Sequence, residues 1–260
     1  MPAGLEIEAL PALRDNYIWA LAKGGRAAVV DPGEAGPVER WLEATSHRLD
    51  AILVTHHHPD HTGGVAALKR RHGATVYGPA GEPIPARDEA LREGDVVTPL
   101  AGGASFRILD IPGHTRGHIA YHGENLLFCG DTLFSAGCGR AFEGPPEQLF
   151  ASLWKLGSLP GETAVYAGHE YTVANLEFAR RVLPADARLE EALANALETR
   201  NNGKVTLPSS VAREQEINVF FRTGEKAVKA AVEQETGDSP GTPVEVFAAL
   251  RNWKDHFRGD

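Results

Sequence analysis

The sequence predicts an α/β (α+β) domain over residues 1–171 followed by an all-helical domain over residues 172–260. Three observations carry this. Apolar runs alternate with helical stretches between residues 27 and 77, the strand–helix–strand rhythm of a layered α/β domain. Four predicted strands end in histidine or aspartate, which crowds chemistry onto one rim. From Val173 onward strand signals fade and helices separated by Gly and Pro breaks take over, so the boundary falls near residue 171.

Residues 5–10 and 17–22 read as strands, with a turn at Asp15-Asn16. Residues 27–30 form a buried strand that ends in Asp31-Pro32-Gly33; Asp31 is either a turn former or an acceptor that orients a metal-bound imidazole. A helix over 37–45 leads to the strand at 51–54, and a helix from Gly63-Gly64 to His72 leads to the strand at 74–77. Residues 78–87 are a Pro/Gly-rich loop, and strands resume at 95–98 and 105–111. His47 and His72 read as ordinary surface residues. The strand at 125–130 ends in Asp131, residues 135–144 read as a flexible loop carrying Cys138 and Arg140, residues 146–157 form a helix, and the strand at 163–166 leads to His169. Helices are expected over 173–183, 188–200, 210–221 and 225–234. A further, final helix starts at Thr242-Pro243-Val244-Glu245, with an N-cap Thr, Pro at the first helical position and Glu at the third. Val246, Leu250, Trp253 and Phe257 make its buried stripe, and Arg251 and Lys254 share the neighbouring face.

The densest chemistry lies in Ala51-Ile-Leu-Val-Thr-His-His-His-Pro-Asp-His-Thr-Gly-Gly-Val65. In an extended segment alternate side chains share a face, so His56 and His58 point one way and His57 the other. Pro59 ends the strand, and Asp60 and His61 follow in a turn. A His-rich loop can be merely solvated. Behind a buried strand and before a Gly-Gly helix entry, imidazoles with a carboxylate read instead as a site for zinc, iron or manganese. His114 directly follows another strand end and is the expected ligand there. His118, four residues on, reads equally as a core imidazole hydrogen-bonded to backbone, and with Asp31 is placed around the ligands. Asp131 stands where each carboxylate oxygen can face one cation.

Composition narrows the partners. The net charge of −9 argues against nucleic acid and anionic membranes, and any anionic substrate needs a local cluster of cations. With 42% hydrophobic and 23% charged residues the chain is ordinary for a soluble globular protein. Two cysteines are too few for a disulfide framework; Cys129 is expected in the core, and a reduced, cytoplasmic setting fits. The first residues show no signal or transit pattern, and no apolar stretch approaches the length of a bilayer span.

Seven candidates, His56, His58, Asp60, His61, His114, Asp131 and His169, are too many for a mononuclear site with three protein ligands. They suit two divalent ions: one held by His56, His58 and His114, the other by Asp60, His61 and His169, with Asp131 bridging. Such a pair performs hydrolysis without a protein nucleophile. A Cys138 nucleophile lacks an adjacent base, and neither Gly-x-Ser-x-Gly nor a phosphate-binding Gly-x-x-x-x-Gly-Lys occurs.

Thr55-His-His-His-Pro-Asp-His61, Gly113-His-Thr115, Cys129-Gly-Asp-Thr-Leu133 and Gly168-His-Glu-Tyr-Thr172, in that order, resemble the metallo-β-lactamase superfamily. The narrower resemblance is to glyoxalase II, the hydroxyacylglutathione hydrolase family. It rests on Leu10-Pro-Ala-Leu-Arg-Asp-Asn-Tyr17, Ala136-Gly-Cys-Gly-Arg140, His169-Glu-Tyr171 and Leu250-Arg-Asn-Trp-Lys-Asp255. It implies a four-layer αββα sandwich with a C-terminal helical domain, zinc as the expected metal, and cleavage of S-D-lactoylglutathione to D-lactate and glutathione in methylglyoxal detoxification. It also implies that Arg251 and Lys254 meet a glutathione carboxylate and that Tyr171 contacts the glutathione backbone. Arg140 stands where many members have Lys, and Phe142 where many have Tyr; the charge is kept and the hydroxyl lost.

The expected chemistry is attack of a metal-bridging hydroxide on the thioester carbonyl, with a thiolate that leaves readily and Asp60 steering the water proton. A monomer is expected. The rivals are a one-iron persulfide dioxygenase, another hydrolase of the same fold such as a β-lactamase, and a binding module for glutathione conjugates that does not turn over.

Overall fold

The computed structural model describes residues 4–258; residues 1–3 of the amino-terminal stretch read above lie outside them. The first sheet takes its six strands in chain order: β1 (Glu6–Ala12), β2 (Asn16–Lys23), β3 (Arg26–Val30), β4 (Arg48–Leu53), β5 (Thr75–Pro79) and β6 (Glu89–Leu91). β1 to β3 are antiparallel, and β3 to β6 run parallel: α1 (Gly36–Thr45) crosses over from β3 to β4, α3 (Val65–His72) from β4 to β5, and the loop 80–88 from β5 to β6. The second sheet contains β7 (Val96–Val97), β8 (Phe106–Asp110), β9 (Ile119–Gly123), β10 (Leu126–Gly130), β13 (Ala164–Ala167) and β14 (Ser209–Ser210), with β14 and β7 at its edges. Between β10 and β13 the chain makes a small hairpin, β11 (Leu133–Phe134) and β12 (Gly137–Cys138), and then α4 (Pro146–Gly157).

Alternation along β2 explains the layering. Tyr17, Trp19 and Leu21 join the larger apolar cluster, where Trp19 Nε1–H donates to the Ala167 carbonyl (2.9 Å) and its ring meets Tyr166 edge-on at 4.8 Å. Ile18, Ala20 and Ala22 turn to the other face, under Val38, Trp41 and Leu42 of α1 and Val65 and Leu68 of α3. Each valine, leucine or isoleucine among them, taken fully out of water, contributes roughly 1.5–3 kcal/mol. On the second sheet, Leu149, Leu153 and Leu156 of α4 share one cluster with Leu127 and Val165.

The helical segment consists of α5 (Thr172–Val182), α6 (Ala187–Asn201), α7 (Val211–Ile217), a 3₁₀ turn (Val219–Phe221), α8 (Lys226–Thr236) and α9 (Pro243–His256). Thr242 caps α9 through the full capping box with Glu245, as its sequence predicts. Val246, Leu250 and Trp253 are buried and Phe257 packs against them.

Several elements differ from the sequence reading. Asp60 and His61 lie in a one-turn helix, α2 (Pro59–Thr62), started by Pro59 at its first position. β6 and β9 escape recognition because a short apolar run becomes a strand only when neighbours supply its hydrogen bonds. The helix expected over 210–221 breaks at Asn218, whose side chain accepts from the Phe220 N–H (3.1 Å). β14 adds a strand from within the helical segment. His72 bonds Glu39 (3.0 Å) and His47 stacks on Trp41, so both are half-buried partners rather than free surface residues.

The stretch expected as a flexible loop is held instead. Glu214, fully buried on α7, accepts the Ala136 N–H (2.7 Å), the Asn218 side-chain amide (3.0 Å) and the Ser209 hydroxyl. Asn218 also donates to the Gly137 carbonyl (2.9 Å). Glu214→Ala would strand these donors without an acceptor, at about 1–3 kcal/mol each and partly offset by no longer burying a carboxyl. A loss of about 3 kcal/mol in urea unfolding is expected, with a smaller loss for Glu214→Gln; wild-type stability in both would show that the clamp contributes nothing.

Candidate metal centre and adjoining cavity

All the strand ends singled out in the sequence meet at one rim of the sandwich. Beyond β4 the chain delivers His56 and His58, and α2 delivers Asp60 and His61. His114 follows β8 through Gly113, where φ is +137° and an added Cβ would lie 2.6 Å from the Leu149 backbone; only glycine fits there. Asp131 follows β10 through Gly130, whose φ of +48° and 2.3 Å clearance to Thr55 Oγ1 leave no room for a side chain. His169 follows β13 and is bridged to Asn16, while the Tyr17 N–H donates to the Gly168 carbonyl (2.8 Å), joining the two sheets beside the rim.

The side chains fall into two groups able to hold a cation, His56/His58/His114 and Asp60/His61/His169. In the first, His58 Nδ1 lies 3.2 Å from His56 Nε2 and 3.1 Å from His114 Nε2. In the second, Asp60 Oδ2 lies 3.5 Å from His61 Nε2 and 3.4 Å from His169 Nε2. Asp131 stands between them. Its Oδ2 is 3.5 Å from His114 Nε2 and 3.2 Å from His169 Nε2, and its Oδ1 is 3.3 Å from His61 Nε2. One oxygen, rather than one for each group, thus faces both. His57, as its position in the extended run predicts, turns away and meets Glu82 and Glu143.

The outer ring nitrogens set the tautomers. His61 Nδ1 bonds Asp31 Oδ2 (3.0 Å), His169 Nδ1 bonds Asp15 Oδ1 (2.8 Å) and His114 Nδ1 bonds the Arg140 carbonyl (2.9 Å). The Thr55 hydroxyl donates to Asp31 Oδ2 (2.7 Å) and so accepts from His56 Nδ1 (3.0 Å). Each of these four rings, when neutral, then turns Nε2 and its lone pair inward. Asp31 is therefore an acceptor and not only a turn former. His118 donates from Nδ1 to the Ile119 carbonyl (3.1 Å), accepts the Asp131 N–H at Nε2 (3.2 Å) and stacks on His56; it is a core imidazole that places Asp131.

Burial, reinforced by neighbouring imidazoles, holds His56 well below the usual histidine range, and burial lowers His58 and His114. Burial also opposes charge on His61 and His169, but Asp131 and Asp60 outweigh it, lifting His61 well above its ordinary value and His169 to about 10. Asp60 and Asp131 are driven well down, against burial, by those same histidines. The site demands positive charge at its centre. Moreover, His61 Nε2 and Asp131 Oδ1 are buried with no hydrogen-bond partner, a costly state for polar atoms unless a cation takes their lone pairs. Imidazole and carboxylate donors in this arrangement fit divalent zinc, iron or manganese.

A cavity of about 470 Å³ opens from His114 and Asp131 and is lined by Arg140, Phe142, Tyr171, Arg251 and Lys254. Tyr171 stacks on His169 at 4.7 Å, and the exposed Phe142 ring stands 5.4 Å from that of His114. The two cations of α9 differ. Arg251 is buried, donating from Nη1 to the Cys138 carbonyl (2.8 Å) and pairing through Nη2 with Asp255 (3.0 Å), which also meets Arg140 (3.3 Å). Lys254 donates to the Ala174 carbonyl (2.8 Å); burial, with Arg251 nearby, lowers it to about 8. Cys138 is buried and its thiol pushed up to about 11, which disfavours the nucleophile considered above. Sequence reasoning missed Thr55, Glu82, Asp15 and Asn16 as parts of this surround; Asn16 donates to Asp60 Oδ2 (3.0 Å). Only the strand-and-turn context of Asp15-Asn16 was readable, because their partners lie far along the chain.

Residues 13–169 match the model of the metallo-beta-lactamase superfamily, and residues 170–257 that of the hydroxyacylglutathione hydrolase C-terminus. A hydroxyacylglutathione hydrolase of Pseudomonas aeruginosa is 54% identical over 259 residues, covering 97% of this chain and 100% of that one. One of Cupriavidus taiwanensis is 51% identical over 266 residues, covering 98% and 100%. Among solved structures, ETHE1 from Myxococcus xanthus superposes with a TM-score of 0.65 at 26% identity, over 96% of this chain and 98% of that one. TTHA1623, solved in a di-iron-bound form, gives 0.58 at 26% identity over 83% and 99%.

A methyl group on residue 168 would lie 2.7 Å from both Asp131 Oδ1 and the His61 ring. Gly168→Ala is therefore expected to displace the second group and lower the tightly bound metal content by one ion per chain, read by elemental analysis of folded protein. Unchanged metal content would show that this space is not part of a cation site.

Proposed function

We propose that this chain, which belongs to the hydroxyacylglutathione hydrolase family of the metallo-β-lactamase superfamily, hydrolyses S-D-lactoylglutathione and related S-2-hydroxyacylglutathiones to the 2-hydroxy acid and glutathione. The observation that carries this reading is the pair of imidazole groups around Asp131, opening into a cavity with cationic walls in a chain of net charge −9. His56, His58 and His114 would hold one divalent cation and Asp60, His61 and His169 a second, with Asp131 facing both; the di-iron form of a similar protein supports two. Zinc is the proposed occupant. When bound, such cations lower the pKa of water and neutralise charge that develops on a carbonyl oxygen.

The chain's own residues do the rest. Asp60, whose Oδ2 accepts from the Asn16 amide, would steer the proton of the attacking water as a hydrogen-bond acceptor, its carboxyl being held too acidic to keep that proton. Arg140 and Lys254 meet the substrate's carboxylates, and Tyr171, which burial keeps neutral, donates its hydroxyl to the glutathione backbone. Phe142 gives the cavity mouth an apolar lip. Arg251, mostly buried in the cavity wall beside Lys254, reaches the same carboxylates from below while fixing the Cys138 carbonyl and, through Asp255, the Arg140 side chain. A thiolate leaves without an acid catalyst. The division at residue 171/172, a monomeric state and a cytoplasmic setting belong to the same reading. Two free thiols support the last, and no described helix is long and apolar enough to cross a membrane.

Incubation of the metal-loaded chain with S-D-lactoylglutathione should release free thiol, without oxygen uptake. A chelator should abolish this and added zinc should restore it. Protein carrying two cations that releases no thiol would overturn the proposal.

Lys254 provides a pH signature. With its pKa lowered to about 8, it is charged below that pH and neutral above it. KM for the anionic thioester should therefore rise between pH 7 and 9 more steeply than kcat changes. Lys254→Met should raise KM at pH 7 by roughly tenfold, the worth of about 1.4 kcal/mol, and flatten its pH dependence. A wild-type pH dependence in Lys254→Met would exclude this role.

A further inference from the structure

The loop between β5 and β6 carries a buried carboxylate that the chemistry above does not use. Glu82 Oε2 accepts the backbone N–H of His57 (2.6 Å), and Oε1 accepts the Thr115 hydroxyl and the backbone N–H of Gly117 (3.0 Å). One side chain therefore ties the His56–His58 segment to the segment that carries His114. The fit is tight, since an added Cβ at Gly117 would meet Glu82 Cγ at 2.6 Å. With the His57 ring Nδ1, also 3.1 Å from Oε2, four donors from two separate loops converge on it, and only an acceptor-only group satisfies all of them. Bonds to an ionised carboxylate are short and directional, so they hold distance as well as energy.

We propose that Glu82 is a positioning residue that fixes His56 and His58 relative to His114, and so sets the affinity of that imidazole trio for a divalent cation. The proposal rests on the dinuclear reading above. Partners that orient metal ligands change metal affinity by roughly 10–100-fold when removed. In Glu82→Gln the side-chain NH₂ must oppose either the His57 N–H or the Thr115 and Gly117 donors, which releases one loop from the other.

The test compares full-length wild type and Glu82→Gln, stripped and titrated with zinc against a chelator, and separately with cobalt(II) followed by its visible absorption. The expected result is one cation bound 10–100-fold more weakly, with a changed cobalt spectrum, while the other keeps its affinity; kcat falls and KM for the thioester moves less than about twofold. Wild-type affinity for both cations with an unchanged cobalt spectrum would overturn the proposal. If Glu82→Gln does not fold, Thr115→Val decides. It removes only the hydroxyl donor, and a roughly three- to tenfold weakening of one cation supports the role while none refutes it. A wild-type chain that binds a single cation would refute the dinuclear reading, and the variants' affinity for that cation would still decide the role of Glu82.

Discussion

A carboxylate buried among imidazoles is the constraint on which the rim depends. Asp131 is almost out of water, and an unpaired buried charge is among the most expensive things a fold can hold. The surrounding structure is arranged to make that burial tolerable. Gly130 adopts a left-handed conformation so that the chain can turn into it, and the His118 ring accepts its backbone N–H. The ring nitrogens of His61, His114 and His169 face its two oxygens. Without a cation, those oxygens draw protons onto His61 and His169; either way, positive charge must sit at the centre.

A second constraint is geometric. Imidazoles converge on a point only if their far sides are fixed, and four of the five here have a named partner: Thr55 for His56, Asp31 for His61, Asp15 for His169 and the Arg140 carbonyl for His114. Asp31 and Thr55 form a relay that serves two rings at once, since one Asp31 oxygen receives both the Thr55 hydroxyl and His61. Orientation is thus shared out among several strands, and no single loop makes the site alone.

The helical segment contributes more than a lid of helices. Glu214 and Asn218 grip the β11–β12 hairpin, and Arg251 holds the Cys138 carbonyl. The hairpin in turn carries Phe134 and Cys138 into the cavity wall, beside Tyr171 and, from the helical segment, Lys254. The acidic chain also keeps its local cations in check: Asp255 lies against both Arg140 and Arg251, so the cavity presents oriented rather than loose positive charge.

The sequence alone determined the strand-end pattern, and with it the seven side chains of the rim and their division into two groups. That information is local: an apolar run followed at once by His, Asp or Gly-His specifies both a strand and what stands at its end. The capping box of α9 and its buried stripe were local in the same way, and both are found where they were expected. The family resemblance supplied the layer order and the expected roles of the cavity residues, which no periodicity encodes. Tertiary structure decided the rest. β6, β9 and β14 exist because neighbouring strands pair with them. The loop expected to be flexible is rigid because Glu214 lies 78 residues away from Ala136 in sequence yet beside it in space. Arg251, from sequence an equal partner of Lys254, is buried as a strut because the Cys138 carbonyl needs a donor. Hydrogen bonds between distant segments leave no periodic trace in a sequence, which is why Glu82, Thr55 and Asp15 became visible only once the chain was folded.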